Sequence, residues 1–148
     1  MSARSIMIVA GTRPEAIKLA PVFWWLEKFG VDYVFVWSGQ HYDYETSRVF
    51  FDQLKLPEPA VDLDVRSGTH AEQTAKIMMG LEEAVDKYKP TVVVAQGDTN
   101  TVVAAALTAA KKQVPFAHVE AGLRSWDLLS PASFLLFLGA SPPLPRCS

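Results

Sequence analysis

Cysteine is nearly absent. The 148 residues contain one, Cys147, in the penultimate position. A single thiol cannot close an internal disulfide, which suits a reducing compartment, and a cytoplasmic protein is expected. The three histidines, His41, His70 and His118, are scattered with no metal-ligand spacing, so no metal is expected. Long apolar runs are missing as well. The start offers only Ile6 to Gly11, too short for the core of a secretion signal, and no stretch approaches the roughly 18 residues of a membrane helix. A net charge of -2 gives no bulk field for nucleic acid or an anionic membrane, so neither is expected as a partner. Two nucleotide motifs are lacking: no G-x-G-x-x-G follows the first apolar run, and there is no G-x-x-x-x-G-K-[ST]. An ordinary dinucleotide fingerprint and a P-loop are both excluded.

What is present suits one globular domain with a proper core, since 49% of residues are hydrophobic and 20% charged. Apolar, β-rich runs bounded by turn residues occur at Ser5 to Ala10, Tyr33 to Trp37, Val61 to Val65, Thr91 to Ala95 and Pro115 to Val119. Between them lies helix chemistry. Thr12 and Glu15 form a T-x-x-E capping box with Pro14 in the first turn, and that helix is expected to reach about Phe29, kinked near Pro21 and ended by Gly30. Thr69 and Glu72 form a second box, followed by Ile77, Leu81, Val85 and Tyr88 on one helical face. Asp98 or Thr99 caps a third helix, Asn100 to Lys112, whose alanines suit close packing on a sheet. Tyr44 to Leu54 reads more weakly as helix. Strands alternating with helices predict an α/β fold, a Rossmann-like parallel sheet with helices on both faces.

In such sheets ligands bind outside the carboxyl ends of the strands. Four of these ends carry unusual polar groups: Gly11-Thr12-Arg13-Pro14-Glu15, Ser38-Gly39-Gln40-His41, Gln96-Gly97-Asp98-Thr99, and His118 through Arg124. Gly11 allows a sharp turn and a close approach to backbone amides, and the helix start after it suits a phosphate. Arg13 offers fork-shaped hydrogen bonds and Lys18 a point charge. Asp98 and Glu120 are two carboxylates able to move protons if their surroundings tune them. Plainer readings stand beside these. Thr12 and Glu15 are needed as a cap in any case, Asp98 is a good N-cap, and Glu120 near Arg124 makes a structural ion pair. His41 and His118 suit structural roles, His70 a solvated surface, and Trp24 and Trp25 core and helix packing.

Taken together, the four segments, the first extending to Pro21, resemble the non-hydrolysing UDP-N-acetylglucosamine 2-epimerases over about residues 5 to 127. The resemblance implies one half of a glycosyltransferase-B-like fold of two domains, with the active site in the cleft between two Rossmann-like halves. It implies no redox cofactor. A base removes the proton at C2 while UDP leaves C1, giving a 2-acetamidoglucal; reprotonation on the other face and return of UDP yield UDP-N-acetylmannosamine. By the family's motifs Asp98 and Glu120 match catalytic carboxylates, and Arg13 and Lys18, with Gly11 and Thr12 in the same turn, match the surroundings of the nucleotide phosphates. Gln40, His41 and Arg66 fall in or near the region that forms an effector site in bacterial members. A homodimer and a role in cell-surface polysaccharide synthesis are also implied.

The chain departs from the family after Ser125. Members continue into a P-E-E-x-N-R segment with a further catalytic glutamate, whereas here no acidic residue follows Asp127. Residues 128–148 have one charge, Arg146, and four prolines, unlike the writing of residues 1–127. The expectation is a domain over 1–127, an atypical irregular tail over 128–148, and no second domain, as a frameshift or truncation would leave. Little or no epimerase activity is then expected of the chain alone. Two other readings stay open: a related glycosyltransferase or hydrolysing epimerase, and a non-catalytic module binding a nucleotide or a partner through Phe134 to Leu138.

Overall fold

The computed structural model describes residues 5–39, 49 and 51–121. Five strands form a single parallel sheet: β1 (Ile6–Ala10), β2 (Tyr33–Trp37), β3 (Val61–Asp62), β4 (Val92–Gln96) and β5 (Phe116–Val119). Their order across the sheet is β3-β2-β1-β4-β5. Parallel neighbours need a crossover, and α1 (Arg13–Lys28), α2 (His70–Tyr88) and α3 (Asn100–Lys111) supply three of the four connections; the β2–β3 connection passes through residues 49 and 51–54, which are also helical. The expected Rossmann-like α/β fold is the one observed.

Alternation along the strands feeds two cores. Met7 and Val9 of β1, with Val34, Val36, Val93 and Ala95, face Ile77, Leu81 and Val85 of α2 and the alanines of α3. Ile8 and Ala10, with Phe35, Trp37 and Val94, face Ala16, Leu19, Ala20 and Phe23 of α1. Helices therefore cover both faces, and the central strands are buried on both sides as their near-continuous apolar sequences require. Phe23 meets Phe35 edge-on at 4.9 Å between ring centres, and Phe51 meets Trp37 at 5.1 Å. On the other face Leu63 lies over Gly80 of α2 so closely that a Cβ there would stand 2.5 Å from Leu63 Cδ2.

The helix ends follow the sequence signals. At the start of α2, Glu72 N–H donates to Thr69 Oγ1 (3.2 Å) and Thr69 N–H to Glu72 Oε2 (2.9 Å). Helix α1 closes at Gly30, whose φ of 63° is left-handed, with Val31 N–H donating to Leu26 O at 2.9 Å. Pro21 lies on the exposed side of α1, which continues through it, and Ile17, whose carbonyl Pro21 cannot serve, is itself half-exposed.

Several expectations need correction. β3 was expected over Val61 to Val65 and is paired only at Val61–Asp62. Asp64 and Arg66 adopt left-handed φ values of 44° and 57°, which break the pleat, although Val65 N–H still reaches Ser38 O at 3.0 Å. Trp24 and Trp25 are not core residues: they are 50% and 54% exposed, because Phe23 takes the inward position on α1. Trp25 instead stacks on Phe29, with Lys28 over its ring. Of Tyr44 to Leu54, residues 49 and 51–54 are helical and the rest lie outside the described residues. The boundary expected at 127/128, and the tail beyond it, also lie outside them. No helix among the described residues is long and apolar enough to cross a membrane.

Candidate functional site

Register decides which residues meet. Ala10 pairs with Trp37, Val9 with Ala95, and Gln96 with Val119, so four strands end along one edge. The turns leaving β1, β2, β4 and β5 therefore emerge side by side, as the sequence implied.

The β5 end carries Glu120, in the left-handed region at φ 64°. Lys18, one turn into α1, brings Nζ to 2.7 Å from Glu120 Oε2. Gln96, the last residue of β4 and fully enclosed, donates its amide Nε2 to the same oxygen. Both donors land on Oε2. The Lys18 ammonium holds the Glu120 carboxyl below its ordinary value of 4.5, with Gln96 adding a smaller contribution. The plain expectation paired Glu120 with Arg124; the described partner is Lys18, and Gly122, Leu123 and Arg124 lie outside the described residues.

The β1 turn is organised by Glu15, a buried carboxylate. Its Oε2 accepts from Gly11 N–H (2.6 Å) and Thr12 N–H (3.1 Å), and its Oε1 accepts from the Thr99 hydroxyl. Burial pushes its carboxyl above 4.5, against the lowering effect of these three donors, and the charge of Asp98 pushes the same way. The two amides expected to face a phosphate are thus already engaged by a carboxylate of the protein. Anion affinity at this turn falls to side chains: Arg13 opens α1 and Lys18 follows one turn on, both exposed.

Asp98 stands exposed in the β4–α3 turn. The sequence left the cap of α3 open between Asp98 and Thr99, and Thr99 is the N-cap, which leaves the Asp98 carboxylate uncommitted to that task. Gly97 before it has φ 94°, and its carbonyl accepts from His118 Nε2 at 2.6 Å, which gives His118 the structural role expected. At the β2 end the hydroxyls of Ser38 and Thr101 share a buried 2.8 Å hydrogen bond. His70 is exposed but not merely solvated: its Nδ1 shares a hydrogen bond with the side-chain amide of Asn100, whose Nδ2 donates to Gln73 Oε1 (2.9 Å), tying α2 to α3.

Arg66 lies apart from this cluster. Its N–H donates to Gly39 O at 3.0 Å, placing it beside the end of β2, and its guanidinium pairs with Asp64 at 2.8 Å. Gln40 and His41 lie outside the described residues. Among the described residues no three His, Cys, Asp or Glu side chains are grouped to hold a metal ion.

Sequence reasoning placed two participants in these turns without giving either a task at the site. Gln96 is a polar side chain at the end of an otherwise apolar strand, Val92–Gln96, and that mismatch was the available signal. Glu15 was hidden by its own explanation, since a cap accounts for its residue type without requiring burial.

A sequence model of one family, described as UDP-N-acetylglucosamine 2-epimerase, matches residues 26–133. The UDP-N-acetylglucosamine 2-epimerase of Methanocaldococcus jannaschii is 50% identical over 122 residues, covering 82% of this chain and 33% of that protein. The UDP-2,3-diacetamido-2,3-dideoxy-D-glucuronate 2-epimerase of Pseudomonas aeruginosa is 41% identical over 127 residues, 85% of this chain and 36% of that one. Among solved structures, the Methanocaldococcus jannaschii UDP-GlcNAc 2-epimerase in complex with UDP-GlcNAc and UDP superimposes with a TM-score of 0.85 at 47% identity, covering 90% of this chain and 37% of that chain. The chain thus spans about a third of the length of the relatives it matches.

Proposed function

This chain belongs to the UDP-N-acetylglucosamine 2-epimerase family, and from that premise we propose that its strand-end edge supplies one side of a site that epimerises UDP-N-acetylglucosamine at C2. The observation that carries the reading is the meeting of Lys18, Gln96 and Glu120 beside the turn that presents Asp98. In this reading a carboxylate takes the C2 proton, the C2–H electron pair becomes the C1–C2 double bond, and the C1–O bond breaks with its pair going to UDP. The second carboxylate then delivers a proton to the opposite face of C2, the double-bond pair forms the new C2–H bond, and a UDP oxygen adds back at C1. Asp98 and Glu120 are the two proton carriers. Glu120 is the candidate base by geometry: among the described residues its donors, Lys18 and Gln96, both occupy Oε2, which leaves Oε1 to accept a proton.

Arg13 and Lys18 are the groups for the diphosphate. Gly11 and Thr12 shape that turn, and a phosphate that sought their amides would have to displace Glu15. Arg66, beside the end of β2, is assigned to a separate effector site, a role that the family resemblance also gives to Gln40 and His41. A homodimer belongs to the same reading and is open to sedimentation.

A second reading keeps the reaction and changes the sugar. The Pseudomonas aeruginosa relative, named for a diacetamido uronate, is matched over the same extent of this chain. The shared chemistry is a UDP-linked 2-acetamido sugar.

The test is a titration of the 148-residue chain with UDP and with each sugar nucleotide, followed by amide NMR. Shifts confined to residues 11–18, 96–99 and 118–121 are expected. Shifts elsewhere, save at Arg66 of the effector site, or none at all, sink the reading. Because the chain spans about a third of its relatives' length, little deuterium exchange at C2 is expected from it alone in deuterated water.

A further inference from the structure

The reaction proposed above gives Glu15 no task, and a helix cap does not explain its placement. The capping glutamate of α2, Glu72, sits exposed and serves only its own turn. Glu15 is 3% exposed and serves two turns. One oxygen holds the Gly11 and Thr12 amides before α1; the other holds the hydroxyl of Thr99, 84 residues further on. Thr99 in turn does not use its side chain to cap α3, although it occupies the N-cap position. Its hydroxyl is committed to Glu15. The neighbour between Thr99 and Gly97 is Asp98, and Gly97 is itself held through its carbonyl by His118. Gly97 also turns the chain with a φ of 94°, a conformation that favours glycine. Burying one carboxylate near a second is electrostatically unfavourable, so the arrangement calls for a reason beyond capping.

We propose that Glu15 is a positioning residue that bridges the β1–α1 and β4–α3 turns and so fixes Asp98 relative to Arg13. The functional half of this inference rests on the role given to Asp98 above; the bridge does not. Asp98 is the charged group facing Glu15 from the β4–α3 turn. Protonation of Glu15 then has to be felt on both turns at once.

The experiment is a pH titration of the 148-residue chain by amide NMR, in an Asp98→Asn background so that the Asp98 carboxyl contributes nothing. The Gly11, Thr12, Gly97 and Thr99 signals are expected to move together with one midpoint, above the 4.5 of an ordinary glutamate. Glu15→Gln should abolish that midpoint in both turns. Thr99→Val should abolish it at residues 97–99 while leaving it at 11 and 12, and Thr99→Ser should restore it. If the β4–α3 turn ignores the midpoint, or Thr99→Val changes nothing, the bridge is overturned. A shared midpoint with no effect of sugar nucleotides on Asp98 in the unsubstituted chain overturns instead the reading of the site, and the positioning role with it, while the bridge stands.

Discussion

Lys18 and Glu120, 102 residues apart in the chain, meet at 2.7 Å because β5 ends directly beside the second turn of α1. Both side chains are partly exposed, so the pair says little about stability and more about charge placement. Lys18→Ala should leave the fold intact and weaken UDP binding roughly tenfold or more, as loss of a charge-assisted hydrogen bond does. Calorimetry on the two proteins checks this. Equal affinities would remove Lys18 from the phosphate site.

The same pair sets a pH dependence. Lys18 holds the Glu120 carboxyl below 4.5 in the folded chain, so its contribution to stability is complete above 4.5 and is lost as the pH falls through the folded value. Urea unfolding over that acid range should show the loss in the parent and a reduced loss in Lys18→Ala.

Glu15 behaves with the opposite sign. Burial raises its carboxyl above 4.5, so the folded chain binds that proton more tightly than the unfolded chain does. Its contribution to stability is greatest below 4.5, declines as the pH rises through the folded value, and is level above it. Glu15→Gln should flatten that decline, since an amide does not titrate, and keep the turns in place, since it can still accept from Gly11 and Thr12 and donate to Thr99. Glu15→Ala strands those donors and should cost about 1–3 kcal/mol for each one that water cannot reach. Denaturation midpoints against pH separate the two variants.

Leu63 and Gly80 should be energetically coupled. A methyl group at position 80 collides with Leu63, an overpacking of about 1–3 kcal/mol, whereas glycine in mid-helix forgoes about 1 kcal/mol of helix propensity. Gly80→Ala is therefore expected to destabilise the chain when Leu63 is present and to stabilise it in a Leu63→Ala background. A double-mutant cycle measures the sign change.

Phe23 is fully enclosed, with Phe35 and Tyr33 edge-on around it. Phe23→Ala should cost about 3–5 kcal/mol. Its neighbour Trp25 carries more surface and lies half in water, so Trp25→Ala should cost far less. Comparable losses for the two would mean that α1 is packed the other way round.

Much of the architecture was legible because it is written in local patterns. Tyr33–Trp37 was bounded to the residue, and the remaining core strands were displaced by one residue at most, since continuous β-branched runs between turn residues have few alternatives. The Thr69–Glu72 box was legible for the same reason. β3 was not, because left-handed residues at Asp64 and Arg66 leave no mark in a pattern of apolar and polar positions. Trp24 and Trp25 misled because residue type favours burial, while helical phase puts Phe23 inside. At the site, the turns that converge could be read from the parallel topology. The bonds that join them, Gln96 to Glu120 and Glu15 to Thr99, depend on side-chain reach across strands and could not.

The strand order has a consequence for how the chain comes into being. β1 is the middle strand, and its two neighbours arrive at very different times during synthesis: β2 directly after α1, β4 only once residues 92–96 have been made. Until then one whole side of β1, four residues that finally pair with Val92 to Ala95, has peptide groups with no strand to receive them. A nascent chain in this state is a template for any extended segment nearby, its own or another molecule's. The ribosome-bound intermediate thus offers an open edge along β1 that the finished sheet closes with β4.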